Sequence, residues 1–216
     1  MRSRSRLILT ALAATALLAL AIGDASAGRF STNEKNFEFI WDNALTGTTK
    51  LEVIANSAGF NIQCKLTLLG RFRENTILKA TGLNQGTFNH GEFRECEGGS
   101  ATIRAETFPW SFRYRSFAGS LPDITNIRTG LLGARYRWES GGLTCETQTE
   151  PNHPWIFILE GGLGTTGEPE NVVADRNGRI PLRGMFVCEF AGEGEFGGIG
   201  LIRNLPRTAK IRLTLI

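Results

Sequence analysis

The stretch Phe60-Asn61-Ile62-Gln63-Cys64-Lys65-Leu66-Thr67-Leu68 alternates polar and apolar side chains with a period of two, the signature of a half-buried strand. Its even-numbered residues are candidates for a core face, with Cys64 among them, and its odd-numbered residues face water. The same alternation returns in Phe37, Phe39 and Trp41, in Trp110, Phe112 and Tyr114, and in Ile211, Leu213 and Leu215. Further strands are expected at 49–55, 86–95, 100–107, 133–139, 142–149, 154–160, 182–190 and 199–203. Turn-forming strings punctuate them, among them Leu83-Asn84-Gln85-Gly86, Glu97-Gly98-Gly99-Ser100, Ser140-Gly141-Gly142 and Asp175-Arg176-Asn177-Gly178. Leu121-Pro122-Asp123-Ile124-Thr125 also reads as a turn. No long helical stripe occurs beyond the N-terminal segment. Many short strands between glycine-rich turns predict an all-β fold, an antiparallel β-sandwich with a small closed β-barrel as the alternative.

The first residues have a different character. MRSRSR is a basic leader, residues 7–22 are an apolar run, and Ala25-Ser26-Ala27 offers the small side chains of a cleavage site. Residues 1–27 are therefore expected to be a signal peptide, cut before Gly28. The apolar run falls short of the roughly 20 residues that span a bilayer, and no transmembrane helix is expected in the mature chain. The whole sequence of 216 residues carries 24 basic and 21 acidic side chains. Removing the leader takes Arg2, Arg4, Arg6 and Asp24 and leaves 189 residues with a net charge of +1. That near-neutrality argues against a nucleic-acid-binding protein. Residues 28–216 are read as a single all-β domain, secreted to the extracellular space or the cell envelope.

Four cysteines, Cys64, Cys96, Cys145 and Cys188, lie in the exported part, and an even count in an oxidising compartment predicts two disulfides. Three connectivities are open. Cys64–Cys96 with Cys145–Cys188 is favoured, because each joins near neighbours in sequence. The spacings of 32, 49 and 43 residues contain no CxxC or Cys/His knuckle, so no metal and no cofactor is expected.

Signals for catalysis are weak. There is no G-x-S-x-G elbow, and the two histidines, His90 and His153, sit in loop-like strings. Glu189, Glu193 and Glu195 form the densest acidic stretch and read as a solvated hairpin tip. More distinctive are Trp110-Ser111-Phe112-Arg113-Tyr114-Arg115 and Ala134-Arg135-Tyr136-Arg137-Trp138, which put aromatics on one strand face and arginines on the other. If both strands lie side by side, Arg113, Arg115, Arg135 and Arg137 make a cationic ridge. Guanidinium groups suit carboxylate or phosphate, so the ridge would take an anionic polymer. Of Trp41, Trp110, Trp138 and Trp155, the last is least constrained by its neighbours, and it is the candidate platform for a sugar ring.

CKLTLLGRF at 64–72, ETFPW at 106–110, FAGSLPDIT at 117–125 and GGLTC at 141–145 together resemble, in the same order, a family of uncharacterised secreted β-rich proteins of high-GC Gram-positive bacteria. The resemblance covers roughly residues 60–145. It implies an exported β-rich protein and brings no activity with it. A histidine often follows the Pro-Trp pair in that family, where this chain has Ser111, so no role of that histidine carries over. The sequence thus points to a non-catalytic extracellular or envelope protein, structural or binding cell-wall polysaccharide or another envelope component. A barrel for a small ligand or lipid, and a secreted hydrolase, are the other classes it leaves open. The oligomeric state is not legible.

Overall fold

The computed structural model describes residues 29–119, 124–163, 168–205, 207 and 211–215. The expected signal peptide and Leu121-Pro122-Asp123 lie outside them. The strands in chain order are β1 (Arg29–Thr32), β2 (Asn36–Trp41), β3 (Leu51–Ala55), β4 (Phe60–Phe72), β5 (Thr76–Leu78), β6 (Asn84–Glu97), β7 (Ser100–Ile103) and β8 (Trp110–Gly119). They continue as β9 (Ile124–Leu132), β10 (Arg135–Ser140), β11 (Leu143–Gln148), β12 (Trp155–Glu160), β13 (Asn171–Ala174), β14 (Ile180–Gly184), β15 (Glu193–Asn204) and β16 (Leu213–Leu215). One short helix, α1 (Phe186–Ala191), interrupts them.

Of the two expected architectures, the chain takes the closed barrel. Strands β2, β4, β6, β8, β9, β12, β13 and β15 pair antiparallel in chain order, and β15 returns to β2 to close the ring. Closure leaves this barrel without an unpaired edge. The period-two faces predicted for β4 are the observed ones: Ile62, Cys64, Leu66 and Leu68 are buried, while Gln63, Lys65 and Thr67 are partly exposed.

An eight-stranded barrel is just wide enough for side chains to fill, and here rings fill it. Phe37 sits at the centre, with ring centroids of Phe72 at 4.5 Å, Phe39 at 5.1 Å, and Phe88 and Phe112 each at 5.5 Å. Its room comes from Gly70, the residue opposite it on β4. A Cβ at Gly70 would stand 2.5 Å from the Phe37 ring. Both ends are covered. At one end β1, β5 and β16 form a three-stranded sheet whose Ile77 and Leu213 join the core. At the other, β7, β10, β11 and β14 form a curled extension, tied in by the long strand β15 and by β3 pairing with β4 and β15. Tyr136, Trp138 and Phe196 carry the aromatic core into that extension.

One disulfide lies in the barrel wall and the other on the extension. Cys64–Cys96 joins β4 to β6, and Cys145–Cys188 joins β11 to α1, as favoured from the spacing. Some expected strands are corrected. Residues 186–190 are helical, because Gly184 turns the chain out of β14 at φ 115° and α1 then brings Cys188 to Cys145. Residues 105–107 form a 3-10 turn. Ile124 and Thr125, read as part of a turn, open β9. That strand was obscured because its inward row includes the polar Thr129 and its outward row includes Gly130.

Gly70→Ala is expected to cost about 1–3 kcal/mol through overpacking, since the neighbours of Phe37 leave its ring nowhere to move. Urea denaturation of the oxidised protein measures it, and an unchanged midpoint would contradict this account of the core.

Candidate functional site

The tryptophans come first, and they are not surface platforms. Trp155 has no exposed surface, and its ring packs against Phe157 at 4.6 Å, Phe196 at 4.8 Å and Tyr136 at 5.5 Å. The expectation of a sugar-stacking Trp155 is therefore corrected. It opens a barrel strand at the junction with the extension, where an inward position means the centre of the core. Trp41, Trp110 and Trp138 are equally buried.

The four arginines do not form one ridge. Along the hydrogen-bonded path six strands separate β8 from β10. The two strands meet across the core instead, through Trp110 and Tyr136 at 5.2 Å, so their alternate residues leave on different outer surfaces. On β10 the charge is cancelled. Arg135 bonds Glu146 at 2.6 and 3.0 Å, and Arg137 meets Glu139 at 2.6 Å. Glu146 also takes the Arg104 guanidinium. Arg104, then Arg135, hold its carboxyl below the usual glutamate range against the opposing effect of burial.

On β8 the charge stays open. Arg113 lies opposite Gly130 of β9, and Arg115 is the extra residue of a bulge between Tyr114 and Ser116. The Arg115 side chain crosses Gly130, where its Cδ would lie 3.4 Å from a Cβ. Two residues along β9 is Arg128, which bonds Asp175. No carboxylate among the described residues pairs with Arg113 or Arg115, and the Arg113 Nε is buried without a hydrogen-bond partner. The neighbouring strands extend the patch. Arg71 on β4 is in register with Thr87 and, beyond it, Ser111 of β8. Arg73 donates its backbone N–H to Gln85, beside Asn84, the β6 partner of Arg113. Arg71, Arg73, Arg113, Arg115 and Arg128 thus follow the outer wall from β4 to β9, a width of about 15 Å at normal strand spacing. Ten of the sixteen described arginines, Arg128 among them, have a carboxylate partner. Four of the six without one lie on this wall. Sequence reasoning found Arg113 and Arg115 by their alternation. It missed Arg71, Arg73 and Arg128, because which strands adjoin is not written in any one of them.

His90 is exposed, and His153 sits in a turn with its Nδ1 unpartnered. Glu193 and Glu195 are not a hairpin tip. They begin β15 and share Arg179, at 3.9 and 3.3 Å, beside a recess of about 360 Å³, while Glu189 lies on α1. No group of three or more metal-ligating side chains occurs among the described residues, and no helix there is long and apolar enough to cross a membrane.

No family model, curated protein or solved structure matches this chain.

Because the Glu146 carboxyl is depressed in the folded state, the stability it contributes is present above the unfolded value of about 4.3 and is lost as pH falls through its lower folded value. Glu146→Gln is therefore expected to lower the denaturation midpoint at pH 7, with the gap to the parent protein closing on acidification. A gap that does not shrink at low pH would contradict the assignment.

Proposed function

We propose that this chain is an exported, non-catalytic binding protein of the extracellular space or cell envelope, and that its binding surface is the arginine wall from Arg71 to Arg128. The observation that carries this reading is the contrast in pairing. Among the described residues most arginines have a carboxylate partner, and four of the six without one gather on adjacent strands of one face. Like charges held together cost free energy, and an anionic partner offsets that cost. Guanidinium groups spread over about four strands suit a polymer with repeated phosphate or carboxylate groups rather than a single small anion.

Export is supported by the leader at residues 1–27, by the resemblance to secreted proteins, and by two disulfides, which persist in oxidising compartments. Cell-wall polysaccharide or another envelope polymer is the proposed partner. A general nucleic-acid role fits less well with a net charge of +1 for residues 28–216.

Residues 28–216 in oxidised form are expected to co-sediment with insoluble cell wall at low salt. Release is expected between 0.1 and 1 M salt, as the screening length contracts from about 10 Å to about 3 Å. Acid extraction of phosphate-bearing polymers from the wall, or the double substitution Arg113→Gln and Arg115→Gln, is expected to abolish retention. Binding that ignores salt and both arginines would sink the reading.

A further inference from the structure

The three-stranded sheet over one barrel end has an edge that the chain leaves open. Among the described residues β5 pairs with β1 alone, through Arg29↔Leu78, Phe30↔Ile77 and Ser31↔Thr76. A groove of about 230 Å³ runs beside it, lined by Thr76, Ile77 and Leu78 of β5, by Leu83, Asn84 and Gln85 around the start of β6, and by Arg73 and Glu74. An open strand edge presents a row of unpaired N–H and C=O groups, and only another extended backbone matches that row.

A second observation is independent of the edge. Gln85 lines this groove, is 1% exposed, and has no hydrogen-bond partner for its Nε2. A buried amide left unpaired costs about 1–3 kcal/mol, so a partner is expected. The residue is placed there by a bulge, since Asn84 and Gly86 pair with Arg113 and Phe112 and leave Gln85 between them. Its backbone carbonyl accepts the Arg73 N–H, which ties this residue to the chain before β5. The unpartnered side-chain Nε2 is a donor, fit for the carbonyl oxygen of a ligand.

The surroundings select the ligand further. Leu78 is 46% exposed beside the groove and provides an apolar contact. Arg29 and Arg73 have no carboxylate partner among the described residues, and Lys79 follows Leu78 directly. Glu74 is the one acidic side chain lining the groove. The volume is below the roughly 300 Å³ at which pockets for small molecules and cofactors begin.

We propose that the β5 edge is a strand-addition site for an extended acidic peptide. The peptide lies alongside Thr76–Leu78 as a fourth strand, gives a backbone carbonyl to Gln85, sets an apolar side chain on Leu78 and places a carboxylate at Arg73. This is recognition in which main-chain pairing supplies affinity and flanking side chains supply selectivity. Arg73 is shared with the arginine wall. The remaining determinants are separate, so the two readings stand or fall apart.

The test uses isotope-labelled, oxidised residues 28–216 and three pools of blocked pentapeptides. The first has the pattern Asp-x-Leu-x-Glu, the second is the same pool N-methylated at leucine and its neighbours, and the third has lysine in place of both acids. The acidic pool is expected to give saturable NMR shifts confined to residues 73–78 and 83–85. N-methylation and the lysine exchange are each expected to weaken binding by about tenfold or more. Gln85→Leu is expected to weaken it by about fivefold with the denaturation midpoint unchanged or raised, which separates lost recognition from lost folding. The Arg113→Gln, Arg115→Gln variant is expected to bind the peptides normally even where it has lost cell wall. No saturable shift up to about 1 mM, shifts centred elsewhere, or equal binding of the N-methylated or lysine pools would overturn the proposal.

Discussion

The ring of Phe37, seated over Gly70, is the contact on which the rest of the molecule depends. Eight strands close around a space that side chains alone must fill, and interiors are packed as densely as crystals. Phe37 touches the rings of Phe39, Phe72, Phe88 and Phe112, which come from four strands. Fixing it fixes the registers of β2, β4, β6 and β8 together. The aromatic packing then runs through Phe157, Trp155 and Phe196 to Tyr136 and Trp138. One core therefore serves barrel and extension, and it leaves function to the outer surface.

That surface is ordered by charge. A carboxylate taken out of water is costly unless it is paired, and the fully buried Glu38 is held by Arg207 in a two-bond clamp of 2.6 and 2.9 Å. Pairs of this kind recur on the extension, where Glu146 draws in Arg104 and Arg135. The wall formed by the end of β4 and by β8 and β9 departs from the pattern. There the bulge at Arg115 and the bare Gly130 let arginine side chains gather with one paired carboxylate, Asp175, among the described residues. The open edge of β5 lies beside the same wall, and Arg73 belongs to both.

The sequence carried much of the fold. Alternation in β2, β4, β8 and β12 marks the inward residues, since a strand buried on one face has no other way to be written. It lost legibility wherever tertiary contacts overruled the local pattern. In β9 the inward Thr129 and outward Gly130 conceal the alternation. At 186–190 a disulfide-tethered helix replaces an expected strand. Trp155 is little constrained by its sequence neighbours, yet it opens β12 with its side chain turned into the core.

The amino-acid sequence by itself determined the all-β class and the buried face of its clearest strands, because each follows from neighbours along the chain; it favoured the cysteine pairing that forms without excluding the other two. The tertiary structure alone decided that the sheet closes, that Arg113 and Arg115 join Arg71, Arg73 and Arg128 rather than Arg135 and Arg137, and that β5 keeps a free edge. Those outcomes depend on which strands lie side by side, and strand adjacency is a contact between residues distant in sequence that no local pattern encodes.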